Sequence, residues 1–256
     1  MLSHLLENSW WPLLISVSSG LMMISILEMF TWGISLNLFF FLFIWLCVFY
    51  TWLRDMNRES DLLGTHTRLV ISGLKWGLVW FLFSEVWFFF GIFWSFFHSS
   101  FSPLSGGMWS WPYIGIDTIP PFQVPLLNTL ILLFSGATAT LSHQEILSSK
   151  PSVWLLISSF LGFYFLMLQV FEYSVASFSF SSGVYGSLFF MGTGFHGFHV
   201  CLGMLMLMIS SLRMLQNKIT ANHHFGLEFS LWYWHFVDVV WLFFVHLSLY
   251  VKKMIL

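Results

Sequence analysis

The chain has 256 residues, is 58% apolar and 21% aromatic, and carries only 8% Asp, Glu, Lys and Arg, where a soluble domain carries about a quarter. Nine Lys and Arg against eleven Asp and Glu give a net charge of −2, too sparse and too balanced for a nucleic-acid partner. The apolar character runs from end to end, which excludes a signal peptide ahead of a secreted domain and leaves a polytopic membrane protein.

A bilayer core of about 30 Å takes about 20 apolar helical residues, and seven runs of that kind follow one another along the chain. The first two, Trp11 to Trp32 and Leu36 to Leu53, are separated only by a G-I-S turn. A polar stretch from Arg54 to Arg68 then divides this two-helix part (11–53) from a five-helix part (69–251) of one membrane domain (1–256). The third run, Leu69 to Phe97, is long enough to tilt or protrude, and Lys75 near its start can snorkel to the interface. From His98 to Gln123 the chain is rich in Pro, Gly, Trp and Tyr, as in an ordered loop at the aromatic belt. The remaining spans are expected at Val124 to Ile146, Val153 to Val175, Gly183 to Leu212 and Phe229 to Val251. Continuous apolar runs argue for helices over barrel strands, which would be about 10 residues of alternating character. The fold expected is therefore all-α. Cys47 and Cys201 both lie inside apolar runs and suggest neither a disulfide nor a thiolate site.

Loops on the N-terminal side of the membrane hold Arg54, Arg58, Arg68, Lys75, Lys150, Arg213 and Lys218, whereas the opposite side keeps Lys252 and Lys253. That asymmetry puts the N-terminus inside and the C-terminus outside.

Ionisable groups at membrane depth are functional candidates by default. Glu85, near the centre of the third span, has Phe81, Leu82, Phe88 and Phe89 as its helical neighbours. It reads either as a proton-exchanging carboxyl or as a neutral acid hydrogen-bonded between helices. His196 and His199 are one turn apart in G-T-G-F-H-G-F-H-V. A metal or haem would need further ligands, which His235 and His246 could supply, so hydrogen bonding between helices is the favoured reading. The glycines from Gly192 to Gly203 invite a close neighbouring helix. His235 and Asp238, three residues apart, share a helix face as a proton relay or a self-neutralising pair. Glu172, near the outer end of the fifth span, is expected at the interface. No phosphate loop, zinc-protease helix or activated nucleophile is visible.

Six segments then carry a resemblance: W-L-R-D-M-N-R-E-S (52–60), S-E-V-W-F-F-F-G-I-F-W-S-F-F-H-S-S (84–100), V-P-L-L-N-T (124–129), G-V-Y-G-S-L-F-F-M-G-T-G-F-H-G-F-H-V (183–200), N-H-H-F-G (222–226) and W-Y-W-H-F-V-D-V-V-W-L-F (232–243). In order and in content they resemble the subunit III family of haem-copper oxidases, most closely the mitochondrially encoded cytochrome c oxidase form. The resemblance implies seven transmembrane helices in a V-shaped two-plus-five bundle with phospholipid in its cleft. It implies a non-redox subunit of an oxygen-reducing, proton-translocating complex of the mitochondrial inner membrane, packed against subunit I, with subunit II and accessory subunits as further partners. Haem and copper belong to the partner subunits, and no metal is expected in this chain. By motif match Glu85 is the family's buried carboxyl of the third helix, and His196 and His199 are non-ligating. Arg58, Glu59 and His66 match the inner polar segment near the lipid cleft, and Arg213 a basic residue that meets a lipid headgroup. Two other readings of the residues stay open: a proton-coupled transporter using Glu85 and Asp238, and a membrane cytochrome with histidine axial ligands.

Overall fold

A computed structural model describes residues 9–33, 36–61, 64, 66–101, 111–112, 115–148, 150, 152–221 and 223–255, the side chains only as far as residue 250. Seven helices run through the described residues: α1 (Trp11–Trp32), α2 (Leu36–Asp61), α3 (Arg68–Phe101), α4 (Val124–Leu147), α5 (Trp154–Val175), α6 (Gly183–Leu215) and α7 (Phe225–Ile255). All seven are long and apolar enough to cross a membrane. Their ends follow local chemistry. Pro12 opens α1 and Pro125 opens α4, where a missing backbone N–H costs nothing. At the end of α1, Gly33 takes a φ of 88° and returns its N–H to the Met29 carbonyl at 3.0 Å.

Two expectations are corrected. α2 does not stop at Leu53 but carries through R-D-M-N-R-E-S-D to Asp61, because charged residues continue a helix once it has left the apolar layer. α3 runs to Phe101, into the stretch read as an interfacial loop. Part of that loop, 102–110 and 113–114, lies outside the described residues, as do the side chains of Lys252 and Lys253.

The chain divides into two compact units, Met1–Trp76 and Gly77–Leu256. In the first, α1 packs against α2. Trp45 donates its indole N–H to Ser19 Oγ at 3.0 Å, and Trp11 donates to Asp55 Oδ2 at 3.1 Å. In the second, α4 packs on α5 and α7, α5 on α6, and α6 on α7. Beside an apolar core that includes Leu132, Phe165 and Leu207, many of the residues facing inward here are small and polar. In α4, Ser135, Gly136, Thr138, Ala139 and Ser142 are buried, whereas Leu130, Leu133, Phe134 and Leu141 are exposed. Lipid is as apolar as any leucine, so helices associate through close packing and buried hydroxyls instead. Thr138 and Ser158 meet at 2.7 Å between α4 and α5, and Ser210 and Ser230 at 3.0 Å between α6 and α7.

Trp234 is the keystone of this unit. Fully buried, it donates its indole N–H to Ser135 Oγ on α4 at 3.0 Å. Its ring lies over Gly162 of α5 and Gly203 of α6, where an added Cβ would sit 2.5 Å and 2.8 Å from ring atoms. The expected role of the glycines on α6 is met at Gly203 and at Gly192, which faces Phe244, while Gly194 and Gly197 have room for a side chain.

The segment 77–101 of α3 joins this unit through a close approach and a set of rings. A Cβ on Gly192 of α6 would lie 3.3 Å from Ile92 Cγ2, Phe89 packs its ring against Phe236 and Phe244, and Phe93 against Phe244.

Candidate functional site

Glu85 of α3 and His199 of α6, separated by 114 residues in sequence, meet with Oε2 and Nε2 2.8 Å apart. The other ring nitrogen, Nδ1, lies 2.6 Å from the Phe195 carbonyl one turn back on α6. A carbonyl only accepts, so Nδ1 carries a proton and donates it. The Glu85–His199 bond is then made either by a neutral acid donating to Nε2 or by an imidazolium donating to a carboxylate. The pair is electrically neutral in both arrangements and is linked by one mobile proton. The His199 side chain is 9% and the Glu85 side chain 21% exposed. Around them stand Phe88 and Phe89, with ring centroids 6.4 Å and 5.1 Å from that of His199, and Tyr233, stacked on it at 6.2 Å. Rings exclude water from the bond and leave each partner dependent on the other.

Both nitrogens of His199 are therefore engaged in hydrogen bonds. His196, fully buried, donates Nε2–H to the Val237 carbonyl of α7 at 3.1 Å and is wedged between Phe165 and Trp241. His246, a possible further ligand, is exposed.

His235 Nδ1 and Asp238 Oδ2 face each other across 3.8 Å, within ion-pair range but beyond hydrogen-bond reach. His235 is 41% exposed, whereas Asp238 is buried with its carboxyl turned to α4, where a Cβ on Gly136 would lie 2.6 Å from Oδ2.

Glu172 departs from its expected interfacial position: it is 6% exposed. The segment after α5 folds back over the helix end, and Phe178, Tyr185 and Trp111 form a buried aromatic cluster there. Glu172 lines a cavity of about 60 Å³ together with Thr193, Trp241, Phe244 and Ile92. A hydrophobic cap placed after the helix is invisible to a reading of the span alone.

Arg58 is exposed in the last turn of α2, followed by Glu59, and His66 is partly buried just before α3. Arg213 occupies the last turn of α6, its guanidinium 3.4 Å from where a Cβ on Gly226 of α7 would lie. One grouping escaped the sequence reading altogether: His143, His224 and Glu228 assemble at the end of the second unit where α4 finishes and α7 begins. The i, i+4 spacing of His224 and Glu228 was its only local signal.

Residues 2–253 match the family model for cytochrome c oxidase subunit III. The chain is 45% identical over 253 residues to a protein named cytochrome c oxidase subunit 3 from Drosophila yakuba, covering 96% of this chain and 95% of that one. It is 44% identical over 250 residues to the protein of the same name from Dugong dugon, with the same coverage, and 43% identical over 251 residues to that from Locusta migratoria, again with the same coverage. Seven membrane-length helices and a match from residue 2 to residue 253 agree, and the chain belongs to the cytochrome c oxidase subunit III family.

Proposed function

We propose that this chain is the non-redox third core subunit of a mitochondrial cytochrome c oxidase and that it sustains turnover instead of carrying electrons. The observation that supports this best is the family match from residue 2 to residue 253. In this reading haem and copper lie in partner subunits, subunit I is the main contact, and subunit II and accessory subunits complete the surroundings. The protein spans the inner membrane with its N-terminus in the matrix and its C-terminus in the intermembrane space, following the Lys and Arg excess.

Within the subunit, the Glu85–His199 pair ties α3 to α6 through a neutral, proton-sharing bond. Arg58 in the last turn of α2 and Arg213 in the last turn of α6 are headgroup ligands for phospholipid, because guanidinium grips phosphate bidentately, and Glu59 and His66 belong to the same inner polar segment as Arg58. Bound lipid and a firmly seated third helix preserve the proton-uptake side of the complex over many cycles. A proton-coupled transporter would need Glu85 and Asp238 as coupling sites. Here each carboxyl has its own histidine, His199 and His235.

The test is a turnover time course on the purified oxidase with and without this chain. The depleted complex should start at nearly the full rate and lose activity within far fewer turnovers. Equal active lifetimes would overturn the reading.

A further inference from the structure

We infer that His143, His224 and Glu228 form a binding site for a divalent metal ion of zinc type, which pins the end of α4 to the start of α7. The three ligand atoms lie within 4.8 Å of one another. Two ligands of a tetrahedral zinc, each about 2.1 Å from the ion, sit about 3.4 Å apart, and His224 Nε2 lies 3.4 Å from Glu228 Oε1. That separation is long for a hydrogen bond and fits one edge of a coordination polyhedron. The His143 and His224 rings are tilted by 57° with centroids 5.4 Å apart. His143 Nε2 is buried without a hydrogen-bond partner.

The surroundings hold the ligands in the form a metal needs. Thr220 and His223 exchange backbone hydrogen bonds of 3.2 Å and 3.1 Å in the connection from α6 to α7. The turn so fixed presents the Thr220 carbonyl 3.3 Å from His224 Nδ1. His224 donates there, which leaves the lone pair of Nε2 for an ion; a carbonyl behind a ligating imidazole is the usual supporting contact in zinc sites. The His224 carbonyl in turn accepts from the N–H groups of Leu227 and Glu228 as α7 begins, so the helix start sets the carboxylate one turn above the ring. Two imidazoles and one carboxylate suit zinc, which accepts mixed nitrogen and oxygen ligands with a water in the fourth position. Magnesium and calcium prefer all-oxygen shells, and copper(I) prefers sulfur. An ion here joins helices whose chain connection runs through all of α5 and α6, and zinc takes no part in electron transfer.

The oxidase complex containing this chain is stripped with a chelator and titrated with zinc alone. The native complex should take up one equivalent more than the His143→Asn and Glu228→Gln complexes, or bind that equivalent at least about tenfold more tightly. Zinc should also protect His143 and His224 of the native complex from acylation by diethyl pyrocarbonate, read by peptide mass spectrometry without any variant. Equal zinc uptake in all three complexes, or unchanged acylation of both histidines, would overturn the site.

Discussion

At Glu85 the chemistry is that of a bond which neither partner can lose cheaply. Glu85→Ala should destabilise the subunit by about 1–3 kcal/mol, because the buried His199 nitrogen then lacks a partner. Glu85→Gln keeps a donor and an acceptor in the same place, and assembly should be nearly normal. Glu85→Lys sets a second cation-forming group against His199 among Phe88 and Phe89 and should prevent assembly. Subunit yield in the isolated complex and its thermal unfolding midpoint separate the three outcomes; normal assembly of the Lys variant would show a wet site. The carboxyl itself was legible from sequence as an ionisable group in the middle of an apolar run. Its partner was not, since helical period reports which residues share a face but not which face of another helix they meet. Glu172 was misread for a related reason: Tyr185, which lines the same cavity, follows the span instead of lying within it.

Between elements, contact depends on absent side chains as much as on those present. Gly162→Leu should force the Trp234 ring from its seat and cost about 1–3 kcal/mol or more, because a close-packed interface has no room for the added carbons. Trp234→Phe removes the bond to Ser135 and part of the ring's packing, and should lower stability by at least about 1 kcal/mol. Calorimetry on the complex measures both; if Gly162→Leu is neutral, α5 and α7 are not in the close contact described. Existence and order of the seven helices could be read directly, and α1 was placed to the residue. The face each presents inward could not. In a membrane the outward face is also apolar, as exposed Leu133 and Phe134 beside buried Ser135 illustrate, so hydrophobic periodicity loses its meaning and buried serines and glycines take over as the signal.

Over the whole molecule, a protease site placed before Trp11 should be cut only from the matrix side in mitoplasts, given where the Lys and Arg residues lie; cleavage from the intermembrane side would reverse the topology. Arg58→Ala and Arg213→Ala should each reduce the phospholipid retained by the complex and shorten its active lifetime while sparing the initial rate, as read by native mass spectrometry beside a turnover course. Unchanged lipid and lifetime would leave both arginines as orientation signals. The resemblance of six collinear motifs made the family plain from sequence. The assembly of His143 with His224 and Glu228 was hidden, because 81 residues and two complete helices separate the two histidines. The length of α3 bears on how the protein meets its solvent. Its 34 residues make a rod of about 51 Å in an apolar layer of about 30 Å. The surplus of about 21 Å must be taken up by tilt or by projection into water, so the thickness of the membrane sets how much of α3 stands outside it.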